Sequence, residues 1–102
     1  MPFGVMGGQY QAAGHARVLS NIYDFEMDIQ TALDAPRSFF ENGSLRIERG
    51  YGENTIQKLS SLGHNIDTKI SPIGGAQAIK INENGVLQGA SDPRKDGCAI
   101  GY

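Results

Sequence analysis

One cysteine, Cys98, is all the chain has, so no internal disulfide can form and cysteine usage does not fix a compartment. There is no block of basic residues to track a nucleic-acid backbone and no acidic tail; lysine plus arginine (9) and aspartate plus glutamate (11) are mixed along the sequence. No apolar stretch approaches the length needed to cross a bilayer. The start, Met1-Pro2-Phe3-Gly4, lacks the charged and apolar regions of a signal peptide. Nucleic acid and membrane are therefore not expected partners. No internal repeat or low-complexity linker is visible. No CxxC occurs, and His15 and His64 are too far apart for a local zinc motif. No metal or cofactor site is expected.

What is present is glycine: 14 in 102 residues, roughly twice the usual share. The apolar fraction, 39%, is low. Length argues for one domain or part of one, and the composition fits a piece that completes its core against something else.

The reading along the chain begins with a short strand over 3–6 that ends at Gly7-Gly8. A helix over 11–25 follows, with Ala12, Ala16, Leu19, Ile22 and Tyr23 on an apolar stripe and Arg17, Asn21 and Asp24 opposite. Asp28 is placed to cap a second helix over 29–34, stopped by Pro36. Strands over 37–41 and 44–48 flank Asn42-Gly43, a strong hairpin signal. A third helix over 53–62 has Ile56, Leu59 and Leu62 as its apolar face and Gly63 as a C-terminal cap. Strands over 65–70, 76–81 and 86–88 close the pattern, with a turn over 82–85 and an apolar ending at Ala99-Ile100. The order β-α-α-β-β-α-β-β-β predicts an α+β fold with mainly antiparallel sheet.

Gly7-Gly8 is the candidate site. A glycine pair between a strand and a helix can be a tight turn that needs backbone freedom. It can equally present backbone N–H groups to a phosphate, a carboxylate or the oxyanion of an acyl-transfer intermediate. The helix start has no strong capping side chain, which leaves its early N–H groups available. His15, beside the apolar stripe, reads as a packed or hydrogen-bonded structural histidine, and His64 as a cation at a helix C-terminus. Cys98 with either histidine has no spacing that supports a nucleophile and base. The segment from Asp92 to Gly97 opens like a calcium loop, but Arg94 stands at the third position and the twelfth lies beyond Tyr102. It is expected to be a turn with exposed charges or a charged latch onto a neighbour. Gly74-Gly75 lacks the Lys-Ser/Thr of a P-loop and precedes a strand, so it too reads as a turn.

Several segments together resemble the γ-glutamyl transpeptidases. They are Gly4-Val-Met-Gly7-Gly8-Gln9, Asp24-Phe25, Ala32-Leu33-Asp34-Ala35-Pro36-Arg37, Gly74-Gly75-Ala76-Gln77-Ala78-Ile79, and Gly89-Ala90-Ser91-Asp92-Pro93-Arg94-Lys95-Asp96-Gly97 with the closing Gly101-Tyr102. They run in order from about residue 3 to the terminus. The resemblance implies a partial αββα sandwich of the N-terminal nucleophile hydrolase type. It implies a precursor that cuts itself into two subunits, and residues 1–102 as a single partial domain, the C-terminal half of the small subunit. It further implies γ-glutamyl transfer from glutathione or related compounds to amino acids, peptides or water, by a new N-terminal threonine. Gly7 and Gly8 match the glycine pair that supplies the oxyanion hole, with the Gly8 N–H expected as the direct donor.

The departures are as specific. The family's threonine nucleophile belongs upstream of the glycine pair; Thr31, Thr55 and Thr68 match other parts of the pattern. The paired serines that hold the substrate carboxylate also precede the glycines and are not Ser60-Ser61. The anchoring arginine belongs to the large subunit. Glu26 stands where many relatives place glycine. The expected partners are thus the remainder of a γ-glutamyltransferase (large subunit and N-terminal half of the small subunit), with a γ-glutamyl substrate once the enzyme is complete, or a second copy through self-association. Two other readings stay open: a non-catalytic oligomerising or partner-binding domain, and a carboxylate-binding module that uses Gly7-Gly8 without chemistry.

Overall fold

A computed structural model describes residues 1–69 and 71–102. The elements are β1 (Phe3–Met6), a 3-10 turn (Gly8–Tyr10), α1 (Gln11–Tyr23), α2 (Ile29–Asp34), β2 (Ser38–Glu41), β3 (Ser44–Ile47), α3 (Glu53–Ser61), β4 (Ile66–Asp67), β5 (Gly75–Ile81) and β6 (Leu87–Ser91). The element order is the one the sequence predicts, with the 3-10 turn added ahead of α1. The chain folds as two compact units, Met1–Asp34 with Gly74–Tyr102, and Ala35–Ile73.

In the first unit, β1, β5 and β6 form an antiparallel sheet in the order β1-β5-β6. Alternation along the strands puts Val5, Ala76, Ala78 and Ala90 on one buried face. The helices α1 and α2 cover it with Val18, Ile29, Ala32 and Leu33, all nearly inaccessible. The small alanines let the helices sit close to the strands. Asn21 joins the two helices by donating from Nδ2 to the Ala32 carbonyl at 3.2 Å, which is how a polar side chain comes to be buried here.

This arrangement corrects the expected orientation of α1. Its buried stripe is Gly14, Val18 and Asn21, while Ala12, Ala16, Leu19 and Tyr23 are exposed and Ile22 is half-buried. Close approach decided the matter: a Cβ on Gly14 would fall 2.6 Å from Val5 Cγ1 and 2.7 Å from Tyr10 Cε1. Hydrophobic periodicity cannot weigh a glycine or a hydrogen-bonded asparagine as core.

Asp28 caps α2 as predicted, accepting the Thr31 N–H on Oδ1 at 3.0 Å and the Thr31 hydroxyl on Oδ2 at 2.6 Å. The Thr31 hydroxyl, then the Thr31 amide, hold the Asp28 carboxyl below its usual pKa. A depressed native pKa stabilises the fold fully above the unfolded value, about 3.9, and the effect fades as pH falls through the native one. We expect Asp28→Ala to lower the melting temperature at pH 7 and to flatten the fall in stability below pH 4. Thermal unfolding followed across pH checks both. Beyond the first helix, Glu26 takes φ 55, the left-handed conformation a glycine adopts without strain. A glutamate held there carries about 1 kcal/mol of backbone strain.

In the second unit, Asn42 and Gly43 (φ 53 and 78) join β2 to β3 in the hairpin that the sequence predicts. The expected strand over 65–70 is only two residues long, Ile66–Asp67, and runs parallel to β3; Ile70 lies outside the described residues. At the end of α3, Gly63 N–H donates to Ser60 O and His64 N–H to Leu59 O, a Schellman cap. The expected apolar face of α3 is only partly covered: Ile56 and Leu59 are half-buried and Leu62 is exposed. Glu48 clips the two ends of the unit, accepting Arg37 N–H on Oε1 and Ile73 N–H on Oε2, both at 2.8 Å. The buried Arg37 side chain completes the clip by donating to the Ile73 carbonyl at 2.9 Å.

Candidate functional site: the glycine pair between β1 and α1

The first strand ends at Met6 and the chain turns at once. Gly7 has φ 142 and Gly8 φ 58, a region that favours glycine. The 3-10 turn then leads directly into α1. Neither start carries a side-chain cap or an acidic residue in its first turn, among the described residues. The first amides of the combined helix thus keep the partial positive charge of a helix N-terminus with no carboxylate of the chain's own set to neutralise it.

The two glycines differ in surroundings. A Cβ on Gly7 would lie 3.2 Å from the Gly74 Cα and 3.3 Å from Tyr10 Cβ and Cδ1. A Cβ on Gly8 would meet nothing within 4 Å. A side chain at Gly7 would therefore crowd its neighbours and one at Gly8 would not, while both glycines themselves are exposed.

His15 is a structural residue. Val5 N–H donates to its Nε2 at 3.3 Å, so the ring proton sits on Nδ1, 2.7 Å from the Gln11 carbonyl that accepts it. Both ring nitrogens are engaged in hydrogen bonds to the backbone. The Val5 amide it accepts lies on the edge of β1 that is not paired to β5, so the imidazole caps that edge. Cys98 is exposed. It borders a groove of about 1160 Å³ on the sheet face away from the helices, lined also by Ile79, Leu87, Ala99 and Ile100; the glycine pair does not line it.

The segment following β6 is the expected turn, closed by Lys95 N–H donating to Asp92 O at 3.1 Å, and Lys95 and Asp96 are exposed, but the other two charges are not. Asp92 is buried, and the Arg94 side chain is 10% exposed. Asp92 N–H donates to Ala76 O at 3.1 Å, and Ala76 N–H answers to Asp92 Oδ2 at 2.8 Å, so a side-chain carboxylate supplies the last rung of the β5–β6 ladder. Arg94 Nη1 donates to Asp92 Oδ1 at 3.0 Å and to the Leu33 carbonyl at 2.8 Å. The latch is real but closes within the unit, tying the end of β6 to the C-terminal end of α2. Gln30 reinforces it by accepting from Ser91 N–H and donating to Ser91 O. The residues that sequence reasoning missed are Tyr10 and Gly74, which both crowd the place where a Gly7 side chain would stand. The Gly74-Gly75 pair was visible, but its neighbour in space was not.

The Gamma-glutamyltranspeptidase family model matches residues 1–102. The chain belongs to the γ-glutamyltranspeptidase family. It is 36% identical to the glutathione hydrolase-like YwrD proenzyme of Bacillus subtilis over 97% of its own length and 21% of that protein's. Among solved structures, γ-glutamyltranspeptidase from Pseudomonas nitroreducens superposes with a TM-score of 0.87 at 25% identity, covering 98% of this chain and 54% of that one. Cephalosporin acylase from Bacillus halodurans gives 0.88 at 37% identity, covering 99% of this chain and 20% of that one. The fold is accordingly α+β, part of an αββα sandwich of the N-terminal nucleophile hydrolase type, with mainly antiparallel sheet. The chain spans 15–21% of the length of the curated relatives it matches.

Proposed function

We propose that residues 1–102 form the C-terminal part of the small subunit of a γ-glutamyltransferase-like enzyme, within which Gly7 and Gly8 supply the oxyanion hole. The supporting observation is the pair's geometry: two glycines with positive φ at the uncapped start of a helix, both exposed. In the assembled enzyme a threonine hydroxyl from outside these residues attacks the γ-glutamyl carbonyl. Its proton passes to the threonine's own α-amino group, and the carbonyl oxygen takes up the negative charge. That oxygen accepts hydrogen bonds from the glycine amides while the tetrahedral intermediate exists. The intermediate collapses with loss of the amine, leaving an acyl-enzyme that an amino acid, a peptide or water then takes apart.

Without the nucleophile, positioning and oxyanion stabilisation leave little catalysis. We expect the 102-residue chain alone to release no product above background from a chromogenic γ-glutamyl anilide. Release should appear when the chain is assembled with a nucleophile-bearing small-subunit segment and a large subunit. Turnover by the chain alone, tracking the protein through purification, would overturn the proposal and return Cys98 or an internal threonine to consideration.

A second reading, a non-catalytic domain that binds a partner or itself, draws on the outer face of the first unit's sheet. Ile79, Ile81 and Leu87 lie exposed there on adjoining strands. A monomer at all concentrations in sedimentation, with activity on assembly, would remove it.

A further inference from the structure

The amides of Gly7 and Gly8 belong to two successive peptide groups, and each group is held by its carbonyl. A peptide is planar, with its C=O and N–H pointing in opposite directions, so fixing the oxygen fixes where the N–H points. The Gly7 N–H shares its peptide with the Met6 carbonyl. That carbonyl lies against Gly74, so closely that a Cβ on Gly74 would sit 2.7 Å from Met6 O. The Gly8 N–H shares its peptide with the Gly7 carbonyl, which accepts the Tyr10 N–H at 3.1 Å.

The Tyr10 ring makes the arrangement rigid. It is 4% exposed. Ideal Cβ atoms on Gly74 and Gly14 would fall 2.8 Å from its Cδ1 and 2.7 Å from its Cε1, respectively. The ring is therefore wedged between the lead-in to β5 and the second turn of α1, with Gly7 against its base. Only glycine leaves room for it at those positions, and Gly74 in addition has φ 67. Two consecutive glycines would otherwise be the most freely rotating stretch of the chain.

We infer that Tyr10 and Gly74 are positioning residues that clamp the Met6–Gly7 and Gly7–Gly8 peptides so that both N–H groups keep a fixed direction. The inference rests on the oxyanion-hole reading for its functional half; the clamp itself is testable without it. Neither residue touches substrate. They act by holding the donors within the few tenths of an ångström that electrostatic stabilisation of a transition state requires.

The test uses Gly74→Ala, Tyr10→Ala and Tyr10→Phe, with Gly85→Ala as control. Gly85 has φ 82 and open space around it, so alanine there brings the same backbone strain without touching the clamp. In the 15N-labelled chain, Gly74→Ala and Tyr10→Ala should shift the Gly7 and Gly8 amide resonances and speed their hydrogen exchange. Tyr10→Phe should restore the wild-type pattern, and Gly85→Ala should leave it alone. In the assembled enzyme, Gly74→Ala and Tyr10→Ala should lower kcat on the order of 10- to 100-fold with KM nearly unchanged. If Gly74→Ala fails to fold, the Tyr10→Ala and Tyr10→Phe pair carries the decision. Glycine resonances that respond to Gly74→Ala no more than to Gly85→Ala would overturn the clamp. Shifted resonances with undiminished kcat, in an enzyme that Gly8→Pro inactivates, would overturn its positioning role. An enzyme that Gly8→Pro leaves active speaks against the oxyanion hole instead, and the resonances still decide the clamp.

Discussion

Replacing Asp92 by alanine should destabilise the chain by about 3–5 kcal/mol, the usual consequence of removing one partner from a buried charge pair. The Asp92 carboxylate is 1% exposed and holds three donors: Ala76 N–H at 2.8 Å, Arg94 N–H at 2.9 Å and Arg94 Nη1 at 3.0 Å. Without it the Ala76 amide loses its acceptor inside the sheet. The Arg94 guanidinium stays largely out of water and loses the Asp92 carboxylate, with the Leu33 carbonyl still accepting from it. Small domains have roughly 5–15 kcal/mol in total, so the loss would remove a large fraction of the stability. Asp92→Asn keeps the shape and one accepting oxygen and should lose less. Urea unfolding by circular dichroism measures the difference. A loss below about 1 kcal/mol for Asp92→Ala would place the pair with ordinary surface ion pairs and remove the latch as a stabilising feature.

That latch also shows where reading the sequence stopped. Features set by neighbouring residues were legible. The β1 strand, the Asp28 cap, the Asn42-Gly43 hairpin and the Gly63 helix end all depend on chemistry within a few positions, and each is where the sequence puts it. Features set by partners far along the chain were not. Asp92 and Arg94 read as a turn with exposed charges or a latch onto a neighbour, because nothing local says that a sheet rung and a helix end of the same unit await them. The face of α1 was misread for the same reason: its apolar stripe, with Leu19 and Tyr23, is exposed, and the buried side is chosen by Gly14 against Val5 and by Asn21 against Ala32. The candidate site divides along this line. The Gly7-Gly8 pair and its place before a helix were legible, whereas the nearness of Gly74, 67 positions away, to Gly7 needed the fold.

Replacing Gly8 by proline should lower kcat of the assembled enzyme by about 100- to 1000-fold, the range seen when one oxyanion donor is lost. KM should change far less, because the ground-state carbonyl carries little of the charge that the amide meets in the transition state. Proline removes the N–H but also cannot adopt φ 58, so on its own the variant confuses a lost donor with a disturbed turn. Gly8→Ala separates the two. Its methyl would meet nothing within 4 Å and its N–H remains, so it carries only the strain of a left-handed alanine, about 1–2 kcal/mol of stability. Retained kcat in Gly8→Ala beside loss in Gly8→Pro assigns the effect to the donor. Equal loss in both assigns it to the turn, and equal activity in both leaves Gly8 without a part in the chemistry. Titrating glutamate or glutathione against the chain and its Gly8→Pro variant separates catalysis from simple carboxylate binding. A donor used in the transition state should affect turnover much more than the affinity for either ligand.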